Sequence, residues 1–145
     1  MKVIVDTNII FSAILSSQGG IGQIITCSSK NIKFYSPQFL QFEINNHLQK
    51  IKAITKLSDS ELFEVIEIIY SKILFISEEF IPKESLIIAD NLTRDIDYDD
   101  VLFVALTIHL NGKLWTGDKK LKDALMAKGF KKFISIAELK DKMKG

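Results

Sequence analysis

Asp6, Asp100 and Asp118 stand where apolar segments begin or end, which is where chemistry is placed. Asp6 follows the β-branched run Val3-Ile4-Val5. Glu43 lies about two turns into a helical stretch that follows a second strand-like segment. Asp100, with Asp97 three residues earlier, opens a segment that is apolar almost throughout, and Asp118 follows Trp115-Thr116-Gly117. Three or four carboxylates gathered together cannot all stay ionised without a cation. An oxygen-only ligand set suits Mg²⁺ or Mn²⁺ better than zinc. Such a centre activates water and stabilises the charge that builds on a phosphodiester during hydrolysis. Lys119, Lys120 and Lys122 follow Asp118 on a helix, where they would meet a phosphate backbone or simply form a solvated face.

Each acid also has a plainer reading. Asp6 and Asp118 could cap the helices that follow them. Asp97 and Asp100 are spaced like a capping box. Glu43 taken alone would be a solvated helix residue, and Asp95, Asp99 and Asp123 read that way too. The repeated coincidence of acids with strand ends carries more weight than any one of them.

The elements that must position these groups follow from the apolar pattern. Val3 to Val5 is a strand buried on both faces. Thr7 or Asn8 caps a helix over Ile9 to Ser16, and Ile21, Ile24, Ile25 and Ser28 continue as a second helical stripe. Lys33 to Ser36 is a second strand. Pro37 suits the first turn of a helix running to about Lys50. Ser58 or Asp59 caps a further helix, with Leu62, Phe63, Val65, Ile66, Ile69 and Ile73 inward and Glu61, Glu64 and Glu67 outward. Leu74 to Ser77 is a third strand, and Glu84 to Thr93 a short helix. Tyr98 to Leu110 is a buried helix stopped by Asn111-Gly112. Lys113 to Thr116 is a fourth strand, then a Lys-rich helix ends near Gly129. Phe133 to Ser135 is a fifth strand, and Ala137 to Lys142 a last helix. Strand and helix alternate throughout, which predicts an α/β fold with a parallel five-stranded sheet between two helical layers. Sites in such sheets lie at the carboxyl ends of the strands. If the first strand is central and the fourth its neighbour, Asp6, Asp100 and Asp118 converge and Glu43 reaches in from the side.

Composition narrows the setting. The 145 residues suit one domain, 1–145, and 47% hydrophobic residues with two prolines exclude a disordered chain. A lone cysteine, Cys27, forms no intramolecular disulfide and no multi-Cys zinc site, which fits a reducing cytoplasm. The apolar runs are too short to span a bilayer, so no membrane partner is expected. The net charge of +1 excludes a uniformly basic nucleic-acid clamp. That average hides a split: residues 1–112 hold 9 Lys/Arg against 14 Asp/Glu, and residues 113–145 hold 10 Lys against 4 acids.

Other chemistries lose on particular positions. His47 reads as a solvated helix residue and His109 as one near a helix end, and neither stands beside a nucleophile. Gly19-Gly20 lacks the following lysine and serine of a phosphate loop. A phosphatase with a strand-one nucleophile would want an acid at Asn8. A receiver domain would want one at the end of Phe75-Ile76-Ser77. Trp115, Phe34, Phe75, Phe103 and Phe133 read as core.

Taken in order, Val3 to Asn8, Glu43, the run Asp97 to Leu106 with Asp100 and Ala105 five apart, and Trp115-Thr116-Gly117-Asp118 make the chain resemble the PIN-domain family over essentially its whole length. The resemblance implies a three-layer α/β/α fold, Mg²⁺ or Mn²⁺ as cofactor, and hydrolysis of single-stranded RNA. Matched by position, it implies Asp6, Glu43, Asp100 and Asp118 as the metal-site acids, with Asp97 as a further acid found in one subgroup. Thr7, Asn8 and Thr116 become supporting polar groups. Many such proteins are VapC-like toxins, often dimeric and neutralised by a small antitoxin. The Ser58 to Thr93 section is longer than the compact toxin pattern. The alternative is a PIN-like module that binds RNA or protein without cutting it.

Overall fold

The computed structural model describes every residue except Ser28 and Gly145. Ser28, expected in the second helical stripe, therefore lies outside the described residues. Four strands form a parallel sheet in the order β3-β2-β1-β4: β1 (Lys2–Val5), β2 (Lys33–Pro37), β3 (Ile73–Ile76) and β4 (Lys113–Trp115). Val3, Ile4 and Val5 are fully buried, as a strand covered on both faces must be. The register pairs Val5 with Trp115, so Asp6 and Thr116 leave the sheet side by side. Gly112 permits this pairing. A Cβ there would fall 2.6 Å from Ile4 Cδ1 and 2.8 Å from the Lys2 carbonyl oxygen. Asn111 before it takes the left-handed conformation expected of a helix stop.

The expected fifth strand is a single parallel bridge, Leu114 to Phe133. The chain turns into its last helix too soon to extend the ladder. The Ser135 hydroxyl accepts from the Glu138 N–H at 3.1 Å, and the Glu138 carboxylate accepts from the Ser135 N–H at 3.3 Å. Ser135 thus begins the helix Ile136–Lys144 in place of pairing.

Helices flank the sheet, as expected. On the N-terminal side α1 (Thr7–Leu15) and α2 (Gly20–Thr26) follow β1. Between β2 and β3 lie α3 (Phe39–Asn46), α4 (Leu48–Thr55) and α5 (Asp59–Tyr70). Then come α6 (Lys83–Thr93), α7 (Val101–Leu110), α8 (Lys119–Ala127) and α9 (Ile136–Lys144), with 3₁₀ turns at Glu78–Phe80 and Tyr98–Asp100. Buried almost all round, α7 packs on β1, β2 and β4, and α6 packs on α7. Trp115, Phe34, Phe103 and Phe133 are core, and Phe75 is half-buried.

Three local expectations change. Pro37 ends β2 instead of starting a helix; it sits opposite Ile76, past the last residue that β1 pairs, so its missing N–H breaks no ladder on that side. The helix expected to run unbroken to Lys50 breaks at His47, whose φ of −113° leaves the helical range. The N–H of Phe39 at the head of α3 is satisfied from far away, by the Glu78 carboxylate at 2.6 Å. Ser58 caps α5 in a full capping box with Glu61, as its position suggested. Phe63, expected to face inward on α5, is 63% exposed, and Ile68 is 55% exposed. The α5 stripe is narrower than its sequence implies.

Among the described residues no single helix is long and apolar enough to cross a membrane. Only α1 and α2 taken together reach the length, and they meet at 103° with Ile9, Ile10, Ile14, Ile24 and Ile25 in the core.

Candidate active site

The carboxyl ends of β1 and β4 open into a cavity of about 270 Å³. Asp6, Glu43, Asp97, Asp99, Asp100 and Asp118 all line it. The sequence singled out five of these six. Asp99, read as a solvated residue, is the addition.

Each acid is held by the backbone that delivers it. Asp6 is 4% exposed, and its Oδ1 accepts from the Ile9 N–H at 3.0 Å, so it caps α1 in place of Thr7 or Asn8. The Thr116 hydroxyl hydrogen-bonds the same carboxyl. Asp118 caps α8, accepting from the Leu121 N–H at 3.1 Å, while its own N–H donates to Thr116 Oγ1 at 3.1 Å. Thr116 therefore ties the two strand-end acids together. Asp97 caps the 3₁₀ turn Tyr98–Asp100 by accepting from the Asp99 N–H at 3.0 Å, not from Asp100 as a capping box would. Glu43 accepts a hydrogen bond from the Thr7 hydroxyl, which joins α3 to α1. The capping and site readings of these acids are thus compatible: one oxygen of the carboxylate caps, and the carboxylate still faces the cavity.

The electrostatics follow from crowding and burial. Burial is the main reason the Asp6 carboxyl is pushed up to about 6; the Thr116 and Ile9 hydrogen bonds oppose the rise, and Asp118 and Glu43 add to it. Burial also leads for Asp100, pushed up to about 7, with Asp97, Asp6, Asp118 and Glu43 adding repulsion. Glu43 moves upward as well, through burial first, with Thr7 opposing. Shifts of this kind, by desolvation and by neighbouring charges inside a cleft, cluster at functional sites.

The donor set is wholly oxygen and its charges push one another toward protonation, which fits a hard divalent cation. As placed, no group of three or more His, Cys, Asp or Glu among the described residues closes around one point as a metal needs.

Part of the lining was not foreseen. Phe11, His47 and Lys50 line the cavity, and Phe103 completes its lining. His47 meets the Phe11 ring edge-on at 6.3 Å, and Lys50 Nζ lies 6.0 Å from the Phe11 centroid. A signal existed: Glu43, His47 and Lys50 are spaced i, i+4, i+7, and Thr7 and Phe11 are i, i+4. Each set shares one helix face with an acknowledged site residue. Asn8 also lines the cavity. Of the three lysines beyond Asp118, none does. Lys122 lies 5.9 Å from the Phe133 ring centroid and lines a separate cleft beside Trp115 and Thr116, while Lys119 and Lys120 are exposed.

Comparison with known proteins agrees with this geometry. A PIN-domain family profile matches residues 4–133, from β1 to the bridge at Phe133. PIN domains are in general nucleases, so the match indicates nuclease-type function on RNA or another nucleic acid. No curated protein matches the chain. With the profile covering all four strands and every acid of the cavity, the chain belongs to the PIN-domain family.

Proposed function

We propose that the chain, as one domain over residues 1–145, is a Mg²⁺- or Mn²⁺-dependent endoribonuclease that hydrolyses single-stranded RNA. The observation that carries this reading is the cavity itself: six carboxylates converge at the strand ends, with Asp6 pushed up to about 6 and Asp100 to about 7. Asp6 is buried and Glu43, Asp100 and Asp118 are half-buried, and gathering that much like charge opposes folding unless something cationic joins it.

Asp6, Asp100 and Asp118 would hold the cation, with Glu43 and Asp97 at its margin. A bound divalent ion supplies two things in such a site: a lowered pKa for water and neutralisation of phosphate oxygens. The chain's own groups do the rest. Thr116 fixes Asp6 and the start of the Asp118 turn, so both carboxylates keep their aim. Thr7 holds Glu43. Burial raises both Glu43 and Asp100, Asp100 to about 7, and either would serve to take a proton from an attacking water. Phe103, buried and part of the lining, limits water access on its side.

A toxin role neutralised by an antitoxin, and a homodimer, belong to the same proposal. Ile9, Ile10, Ala13 and Ile14 put the apolar face of α1 in the core, which leaves the exposed Phe63 and Ile68 of α5 to serve such contacts. Incubation of labelled single-stranded RNA with the protein, with and without EDTA, tests the reading. Cleavage that needs Mn²⁺ or Mg²⁺ and disappears in Asp6→Asn supports it. Cleavage indifferent to EDTA, or identical in Asp6→Asn, refutes it.

A further inference from the structure

Six carboxylates repel a phosphate chain, so beyond any bound cation its approach depends on the part of the cavity wall that carries no carboxylate. Among the described lining residues that wall offers a single lysine, Lys50, together with the exposed imidazole of His47 and the half-buried ring of Phe11. Lys50 has no carboxylate within ion-pair distance among the described residues; its charge rests near the Phe11 ring. It differs in this from Lys52 two residues on, which pairs with Asp59 at 2.6 Å. His47 stands at the break between α3 and α4, where the chain leaves helical geometry and turns its side chain to the cavity. The edge-on contact with Phe11 leaves the imidazole braced on one side and open on another.

We infer that Phe11, His47 and Lys50 form the substrate subsite of this cavity, resting on the nuclease reading above. Lys50 takes a backbone phosphate next to the scissile one. His47, braced by Phe11, stacks on the neighbouring base. Stacking needs only a π face, and single-stranded chains expose their bases to it. A duplex keeps its bases inside the stack, so this wall selects single strands. The subsite replaces Lys122 as the phosphate-facing cation, since Lys122 lies near the Phe133 ring and lines a separate cleft.

The test measures both binding and cleavage of a short labelled single-stranded RNA, with matching DNA and a duplex as further arms. Binding is read in the Asp6→Asn background so that it does not depend on turnover. Lys50→Ala should weaken binding, reduce the slope of log affinity against log salt by about 0.7, and raise KM with kcat retained. His47→Ala should weaken binding by about fivefold or more, with His47→Phe restoring it. Lys140→Ala, on an exposed face of α9, should change neither. Circular dichroism confirms that each variant is folded. If the wild type cleaves RNA while Lys50→Ala and His47→Ala bind and cleave like it, the subsite is refuted and the nuclease reading stands. Failure of His47→Phe to restore binding refutes the stacking role. If nothing is cleaved but binding still depends on Lys50 and His47, the subsite stands and the nuclease reading falls. No binding and no cleavage refutes both.

Discussion

Carboxylates on the outside of this molecule and carboxylates at its strand ends live under different rules. On the outside, Asp59 pairs with Lys52, Asp90 with Arg94, and Asp95 with Lys128. The pair with Lys128 holds Asp95 below the usual carboxylate range. In the cavity six acids share one lysine wall, and burial with mutual repulsion pushes Asp6, Glu43 and Asp100 upward. The fold neutralises charge at the exposed pairs and leaves the buried Asp6 and the half-buried Glu43, Asp100 and Asp118 without a salt bridge among the described residues. The chain's net charge of +1 hides this. Its positive excess lies in residues 113–145, and of the lysines there, none lines the cavity.

The largest expected effect comes from discharging the buried member. Asp6→Asn should lower cleavage by roughly a hundredfold or more, since a site of this kind supplies several kcal/mol of charge stabilisation. Because Asn caps helices as well as Asp does, the variant should keep α1 and fold normally. The same substitution should raise the melting temperature of metal-free protein at pH 8, because it removes a buried charge.

Stability against pH is the next effect. Asp6 and Asp100 have folded pKa values above their unfolded ones, so between about pH 4 and pH 7 the folded state binds more protons than the unfolded one. Stability of the metal-free protein should therefore fall as pH rises through that window, by about a few kcal/mol in all. Denaturant titration at pH 5 and pH 8 measures it. Saturating Mn²⁺ should erase most of the difference, and a flat profile without metal would remove the contrast between the two regions.

Smaller losses belong to the groups that hold the acids. Thr116→Val removes the hydroxyl shared by Asp6 and Asp118, and Thr7→Val removes the one on Glu43. Each should cost roughly 10- to 100-fold in metal affinity or activity. Smallest of all, Lys52→Ala should leave cleavage unchanged and barely move the melting temperature, since an exposed ion pair contributes little. A large activity loss there would show that the surface and the cavity are not separate.

Much of the site was legible because strand ends announce themselves. A strand-like run followed closely by an acid, twice over, marks where the sheet's carboxyl edge lies and which side chains it presents. The parallel sheet followed from strand–helix alternation, while the adjacency of β1 and β4 entered as a condition that the order β3-β2-β1-β4 meets. What stayed hidden depended on contacts between distant segments. The break at His47 has no proline or glycine to mark it, and α3 is capped from Glu78, 39 residues away. Phe133 to Ser135 has strand composition, yet Ser135 is taken by its own capping box with Glu138. Phe63 fits the α5 stripe but lies beyond what α1 and β3 cover.

The central claim is that the cavity's excess negative charge awaits a divalent cation. Calorimetric titration of Mn²⁺ into the metal-free protein at pH 6.5, repeated in buffers of different ionisation enthalpy, tests it most directly. The account predicts saturable binding with net release of protons, since Asp6 and Asp100 are partly protonated near that pH, and loss of most of that binding in Asp6→Asn. Absence of Mn²⁺ binding, or binding in Asp6→Asn indistinguishable from wild type, would contradict it.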